Sequence, residues 1–492
     1  MFFKLRSVVI FRNYKTFGYL TDNRNFGYLK EEKENHIGDK IISESGSIFI
    51  SVLGKRSQSL DSLVKKIKKH FTNVDDKTIK NDALEFYRTL ETDGFIVSGD
   101  TLQKCDDKDT KFSYKKLVNS DISNEYSFPA IIHHEKYTQD FLEEFFKGKP
   151  QLTNLHIEIT SRCNERCLHC YIPHENKTQN IDPELFYKVL KQCFDLKLLH
   201  ITLSGGEPML HKSFCGFLKK CRQFGFSVNV LSNLTLLNEE IVKEMKANPL
   251  LGVQVSLYSM NPDIHDEITQ MKGSLVKTKN AILTLVENDI PLQISCPIMK
   301  LNKNCYKDVI KWAKKYNINV GEDYVIIARY NHSKLNLNCR LSVNEIKEVI
   351  NDKILNDSNY IEQMAKEMEK KKSMTTDDYV CSVCHSSVCI AENGNVYPCA
   401  GWQDYIIGNV KETSLYDIWN HSEKVQYLRN LRNRDFPKCI QCSDKVFCTL
   451  CLVRNANEYT QGNPLVVNDY FCKVAKLNKK IMFESRRKQM NK

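Results

Sequence analysis

No run of 18 or more apolar residues occurs anywhere in the 492-residue sequence, which excludes an ordinary membrane-spanning helix. The first residues, MFFKLRSVVIFRNYK, lack the apolar core and small-residue cleavage site of a signal peptide. A cytoplasmic chain with no membrane partner is therefore expected. An acidic excess is also missing, since the net charge is +11. The lysines are spread, with local runs such as KKIKKH (Lys65 to His70) and KEMEKKK (Lys366 to Lys372). Each run reads as a solvated helix face, so no nucleic-acid partner is expected. One more thing is lacking. The stretch CNERCLHCY, Cys163 to Tyr171, carries three cysteines, whereas thiolate metal sites usually take four ligands.

What is present in quantity is cysteine, nineteen in all. A large chain in a reducing compartment does not need disulfides, so clustered cysteines point to metal or catalysis. Three fall in CNERCLHCY and nine between Cys381 and Cys472, and the others are scattered singly as apolar fillers. With 41% hydrophobic and 27% charged residues the chain reads as globular, in two to four domains.

Residues 1–100 form one small domain. SVVIFR, FGYLTDN and DKIISES read as strands, followed by three amphipathic helical patterns from Gly46 to Phe95. This layout is close to a winged helix. Residues 101–150 read as a polar linker with local helix around DFLEEFFKG. From 151 to 335 strand-like runs alternate with helices: LHIEIT, LHITLS, SVNVLS, GVQVSL, LQISCPI and YVIIAR. Six such steps give parallel strands with right-handed crossovers. The expected fold is α/β, a partial (β/α)6 barrel with its site at the carboxyl ends of the strands. Residues 336–380 read as bridging helices, 381–475 as a cysteine-rich domain and 476–492 as a basic tail.

The spacing CxxxCxxC after the first strand resembles the radical SAM superfamily. SGGEP (Ser204 to Pro208), SNLT with Ser232 and Asn233, and SLYS with Ser256, all at later strand ends, resemble its other motifs. The resemblance implies that Cys163, Cys167 and Cys170 hold a [4Fe–4S] cluster whose fourth iron binds S-adenosylmethionine. It implies that Gly205, Gly206 and Glu207 meet the methionine amino group and Ser232, Asn233 and Ser256 the ribose. His169 would lie by the adenine. The downstream pattern, Cys381, Cys384, Cys389, Gly394-x4-Cys399, then C439-x2-C442-x5-C448-x2-C451 and Cys472, resembles the SPASM extension, which holds two auxiliary [4Fe–4S] clusters. Family pairing implies Cys381, Cys389, Cys399 and Cys451 for one and Cys439, Cys442, Cys448 and Cys472 for the other, with Cys384 unassigned.

SPASM enzymes mostly modify peptides, and residues 1–100 resemble a PqqD-like RiPP recognition element, which binds a precursor's leader by adding a strand to a sheet edge. The expectation is a radical SAM peptide maturase. A 5′-deoxyadenosyl radical would initiate thioether crosslinking of the sactionine or ranthipeptide type, with a flavodoxin or ferredoxin as one-electron reductant. The alternatives are a sulfatase-maturase-like enzyme acting on a protein and, in another class, a zinc protein binding nucleic acid.

Overall fold

A computed structural model describes residues 1–22, 38–109, 146, 148–248, 250–356, 360–372, 375–459 and 461–490. Among the described residues the N-terminal domain has six strands in place of the three read from sequence: β1 Phe2–Leu5, β2 Ile10–Asn13, β3 Phe17–Thr21, β4 Asp39–Ser43, β5 Gln58–Ser59 and β6 Ile96–Gly99. They make two three-stranded sheets, β2-β3-β4 and β5-β1-β6. Three helices follow the expected periods. Ser43 caps Glu44–Leu53 by accepting from the Gly46 N–H, and Asp75 caps Asp76–Thr92 by accepting from Thr78. With Leu60–Ile67 they bury Ile50, Leu63, Ile67, Tyr87 and Leu90 against Phe3, Leu5 and Phe95. A short helix, Leu102–Asp107, belongs to the same domain. Asp109 pairs with Lys4 at 2.9 Å and accepts from the Ser7 N–H, so residues as far as Asp109 pack with this domain. Residues 110–145 and 147, with most of DFLEEFFKG, lie outside the described residues.

Arg12 of β2 fixes this domain to the next. It is buried, its Nε donates to the Leu198 carbonyl at 2.6 Å and its Nη2 to Gly225 at 2.9 Å, and it lies over the Phe194 and Phe226 rings. Burial lowers its pKa to about 10. Arg12→Met leaves both carbonyls without their donor, at a cost of about 2–3 kcal/mol. Calorimetry is expected to show the N-terminal domain melting in a separate, earlier transition.

Six parallel strands follow: β7 Asn154–Thr160, β8 His200–Gly205, β9 Ser227–Ser232, β10 Gly252–Ser256, β11 Leu292–Ser295 and β12 Asn319–Gly321. Leu155, Ile157, Ile201, Leu203, Val228, Val230, Val253, Val255 and Ile294 share one core with helix residues such as Phe186, Val189, Phe217 and Ile282. Strand alternation puts His156, Glu158, Ser204, Asn229, Gln254, Ser256, Gln293 and Ser295 on the opposite, inner face. A closed barrel would fill that face with branched apolar side chains; here it is mostly polar, Leu231 beside Gln254 being apolar.

The sixth strand is not YVIIAR. Its carbonyls at Ile326, Ile327 and Ala328 accept from the side chains of Arg340, Asn336 and Asn457. The ladder is taken instead by the three residues Asn319–Gly321.

The helices Val343–Asn356 and Tyr360–Lys372 lead to the last domain. Its first strand, β13 Ser387–Ile390, joins β7 in parallel, and β14 Asn395–Tyr397 and β15 Gly408–Asn409 extend the sheet. One nine-stranded sheet therefore runs β12-β11-β10-β9-β8-β7-β13-β14-β15, open at both ends. The segment read as a basic tail is the continuation of a 22-residue helix, Asp469–Met490, which buries Val474, Leu477 and Ile481 in the main core. Among the described residues no helix is long and apolar enough to cross a membrane.

Candidate active site

Cys163, Cys167 and Cys170 lie in the loop after β7, at the carboxyl end of the sheet, each part-exposed. Cys167 is within electrostatic reach of both others. As free thiols, Cys163 and Cys167 are hard to ionise. Burial pushes Cys163 up to about 11 and Cys167 well above its usual value, so a bound cation is what would make them thiolates. Lys177, itself buried, supplies a positive charge near Cys163.

SGGEP fastens this loop. Gly206 N–H donates to the Thr160 carbonyl and Glu207 N–H to Arg162, both at 2.8 Å. Gly205 has φ +135°, and a Cβ there would stand 1.9 Å from the Thr160 oxygen; one on Gly206 would stand 2.2 Å from the Arg162 oxygen. The close approach that needs glycine is thus to the cysteine loop's own backbone.

Glu207 is fully buried and its pKa is raised by burial to about 7. It accepts from the Met209 N–H at 3.0 Å, the Ser232 hydroxyl at 2.8 Å and the Asn233 N–H at 2.8 Å. The Glu207 and Ser232 side chains are thus bonded to one another at the strand ends beside the cysteine loop. Asn233 is likewise committed. Its Nδ2 donates to Asn164 Oδ1 at 3.0 Å, and Asn164 Nδ2 donates to the Thr235 hydroxyl at 2.7 Å. Glu207, Ser232, Asn233 and Asn164 form one network bracing the cysteine loop from below.

His169 points inward beside Tyr258, ring centroids 5.0 Å apart and close to perpendicular. Burial lowers its pKa to about 4, so its ring is neutral, and Nδ1 is buried with no partner. Ser256 bonds to the Tyr258 hydroxyl. Tyr258 was not singled out from sequence, although it stands inside SLYS. Across the inner face, Glu158 accepts from the Tyr171 hydroxyl at 3.2 Å and from the Gln403 amide. Burial raises Glu158 to about 8. The polar alternation of LHIEIT was the signal for His156 and Glu158.

The downstream thiols fall into two neighbourhoods. Cys439, Cys442, Cys448 and Cys472 are electrostatic neighbours and line one cavity of about 410 Å³. Cys381, Cys399 and Cys451 neighbour one another; Cys389, on β13 opposite His156, neighbours Cys399, and Cys384 neighbours Cys381 and Cys399. Cys384 is fully buried in the apolar core with φ +58°. That left-handed conformation is one that glycine adopts more readily than cysteine. Cys384→Ala is expected to leave iron content unchanged and activity within about twofold, since an inert core thiol is a small hydrophobe; metal analysis checks it.

The donor set suits clusters better than zinc. Tetrahedral zinc, with sulfurs at about 2.3 Å, draws its thiolates to about 3.8 Å from one another. Among the described residues no three of these thiols come within 4.8 Å of each other. The donors that do come that close are His156, Glu158 and Cys389, and the buried unpartnered atoms Glu165 Oε1, His169 Nδ1, Asn229 Oδ1 and Arg329 Nε leave polar groups for a further ligand.

Comparison with known proteins agrees. Residues 157–313 match the radical SAM superfamily and residues 381–443 the SPASM iron-sulfur cluster-binding domain. The chain is 27% identical over 333 residues, 60% of its length and 88% of the relative's, to the tungsten-containing aldehyde ferredoxin oxidoreductase cofactor-modifying protein of Pyrococcus furiosus. It is 25% identical to the antilisterial bacteriocin subtilosin biosynthesis protein AlbA of Bacillus subtilis, over 62% of this chain and 69% of that one. Streptococcus suis SuiB, bound to its precursor peptide SuiA, has the same fold over 94% of this chain and 98% of its own, with a TM-score of 0.58 at 15% identity. The cofactors that go with these domains are [4Fe–4S] clusters and S-adenosylmethionine.

Proposed function

We propose that this chain, a radical SAM domain continuous with a SPASM domain, modifies a ribosomally made precursor peptide, forming thioether crosslinks. Cys163, Cys167 and Cys170 would hold the first cluster. Cys381, Cys389, Cys399 and Cys451 would hold the second and Cys439, Cys442, Cys448 and Cys472 the third. Bound there with S-adenosylmethionine, the first cluster supplies hydrogen-atom abstraction. The chain's own residues do the rest. Glu207 and Asn233 hold the cysteine loop, Glu158 straps Tyr171 to Gln403, and His169 with Tyr258 offers an aromatic wall. Asn229, Gln254 and Gln293 offer side-chain amides to a peptide's main chain.

The observation that carries a peptide client is the docked N-terminal domain. Its sheet ends at β4, which pairs with β3 on one side and with no described strand on the other. Beside β4 runs a groove of about 410 Å³, lined by Lys40, Ile41, Ser43, Asp82, Glu85 and Phe86. An edge strand beside a groove suits an added peptide strand. SuiB, of like fold, has been seen with its precursor, and AlbA is a bacteriocin biosynthesis protein. A folded-protein client would give this domain no task.

Mass spectrometry of a precursor treated with the enzyme should show a loss of two hydrogens per crosslink. Removing the leader should lower conversion about 100-fold by removing the effective concentration it supplies. Equal conversion of leader-free peptide, or 5′-deoxyadenosine formed with no change in peptide mass, rejects the reading.

A further inference from the structure

We infer that the groove between the helices Glu239–Ala247 and Ser274–Glu287 is the docking site of an acidic one-electron carrier protein. The inference rests on the proposed reading of Cys163, Cys167 and Cys170 as cluster ligands. An electron for that cluster has two ways in. The inner face is where cofactor and peptide would sit, so the outer side of the cysteine loop is left.

The groove has a volume of about 700 Å³ and begins on that side. Thr235 lines its end, and the Thr235 hydroxyl accepts from Asn164 at 2.7 Å, Asn164 being the residue next to Cys163. Asn164 also meets Met271 Sδ at 3.6 Å. One hydrogen bond and one peptide link therefore join the groove wall to a candidate ligand. Leu234, Leu237 and Val242 supply an apolar floor, with Lys243, Lys246 and Lys277 around it and Glu239 as the one carboxylate in the lining. Among the described residues Lys243 and Lys277 make no ion pair, while Lys246 donates to Asn288 at 3.1 Å. On the same helix Glu244 is occupied by Asn248 at 2.5 Å and approached by Lys219 at 4.0 Å. Exposed Arg166 and Lys272 flank the loop itself. An apolar centre with a charged rim of one sign is the pattern of a transient, electrostatically steered interface. Lysines with no partner of their own select a carrier rich in carboxylates. The carrier would give up one electron, passing for a flavoprotein from hydroquinone to semiquinone, to a cluster held by Cys163, Cys167 and Cys170.

The test is the triple variant Lys243→Glu, Lys246→Glu and Lys277→Glu in the full-length, cluster-loaded enzyme, with a flavodoxin as probe. Binding of oxidised flavodoxin, which needs no turnover, is expected to weaken at least about tenfold at low ionic strength and to lose its salt dependence. Flavodoxin-driven formation of 5′-deoxyadenosine falls by a similar factor, and dithionite-driven formation stays at the wild-type rate. The triple Lys→Gln variant gives an intermediate loss. Flavodoxin affinity within twofold of wild type overturns the inference. So does an equal fall in the dithionite-driven rate, because the groove would then serve the barrel itself. A wild-type enzyme that makes no 5′-deoxyadenosine with dithionite is a failure of the enzyme reading; flavodoxin affinity still decides the docking site.

Discussion

Changing Cys163, Cys167 and Cys170 together to alanine is expected to bring 5′-deoxyadenosine formation down to background, a loss of at least about 10⁴-fold, because the cofactor carries the difficult chemistry. Iron should fall from about twelve to about eight per chain, as one of three four-iron clusters is lost. The fold gives a reason for this clean subtraction. The three thiols sit in one loop held by backbone bonds to Thr269, Ile268 and Gln179, none of which uses a sulfur. Cys439, Cys442, Cys448 and Cys472 line a separate cavity, which Cys451 also borders. Metal and sulfide analysis with product chromatography reads both effects. Iron unchanged at the wild-type level, or lost altogether, would show that the cysteines have been wrongly grouped; zinc in place of iron would reject the clusters.

The second large effect needs only one methyl group. Gly205→Ala is expected to destabilise the protein by about 3 kcal/mol or more and to empty the cysteine loop of iron, because it combines an unfavourable φ with a clash against backbone. The added carbon would lie 1.9 Å from the Thr160 oxygen. The ends of β7 and β8 would have to part, breaking the 2.8 Å bonds from Gly206 to Thr160 and from Glu207 to Arg162. Gly216→Ala is the control. That glycine lies in the helix Phe214–Gln223, and its new carbon would meet nothing nearer than 3.7 Å, at the Tyr187 hydroxyl. Replacing a helical glycine should add about 0.5–1 kcal/mol. Denaturant unfolding with iron analysis separates the two. A Gly205→Ala protein as stable and iron-rich as wild type refutes the account of the clamp.

The first five barrel strands were readable because each is a short apolar run with flanking helices of clear period. The sixth was misread because YVIIAR is the better strand by composition, and what removes it from the ladder is three side chains, at 336, 340 and 457, that local pattern does not connect to it. The inward polar positions of β7 were likewise visible, but the bond from Gln403 to Glu158 spans 245 residues of chain. Motif resemblance singled out Glu207, Ser232 and Asn233, which the fold gathers beside the cysteine loop. It did not tell that they bind one another and Asn164, since that depends on how the ends of β8 and β9 meet the cysteine loop. Small strands at the N-terminus, FFKL and IVSG, were missed because four residues carry little periodicity and their pairing, β1 with β6, joins the two ends of the domain.

Arg12 grips carbonyls at Leu198 and Gly225, just ahead of β8 and β9, whereas the cysteine loop and Asn233 follow their strands. The N-terminal domain thus sits at one end of the sheet and the chemistry at the other. For a precursor held by that domain, the chain must travel the length of a barrel strand, about 20 Å for six residues. Roughly six extended residues of tether are then consumed before any side chain reaches the cysteines, so the architecture sets a minimum reach. On the proposed reading, residues closer to the leader than that would be protected by geometry, whatever their reactivity.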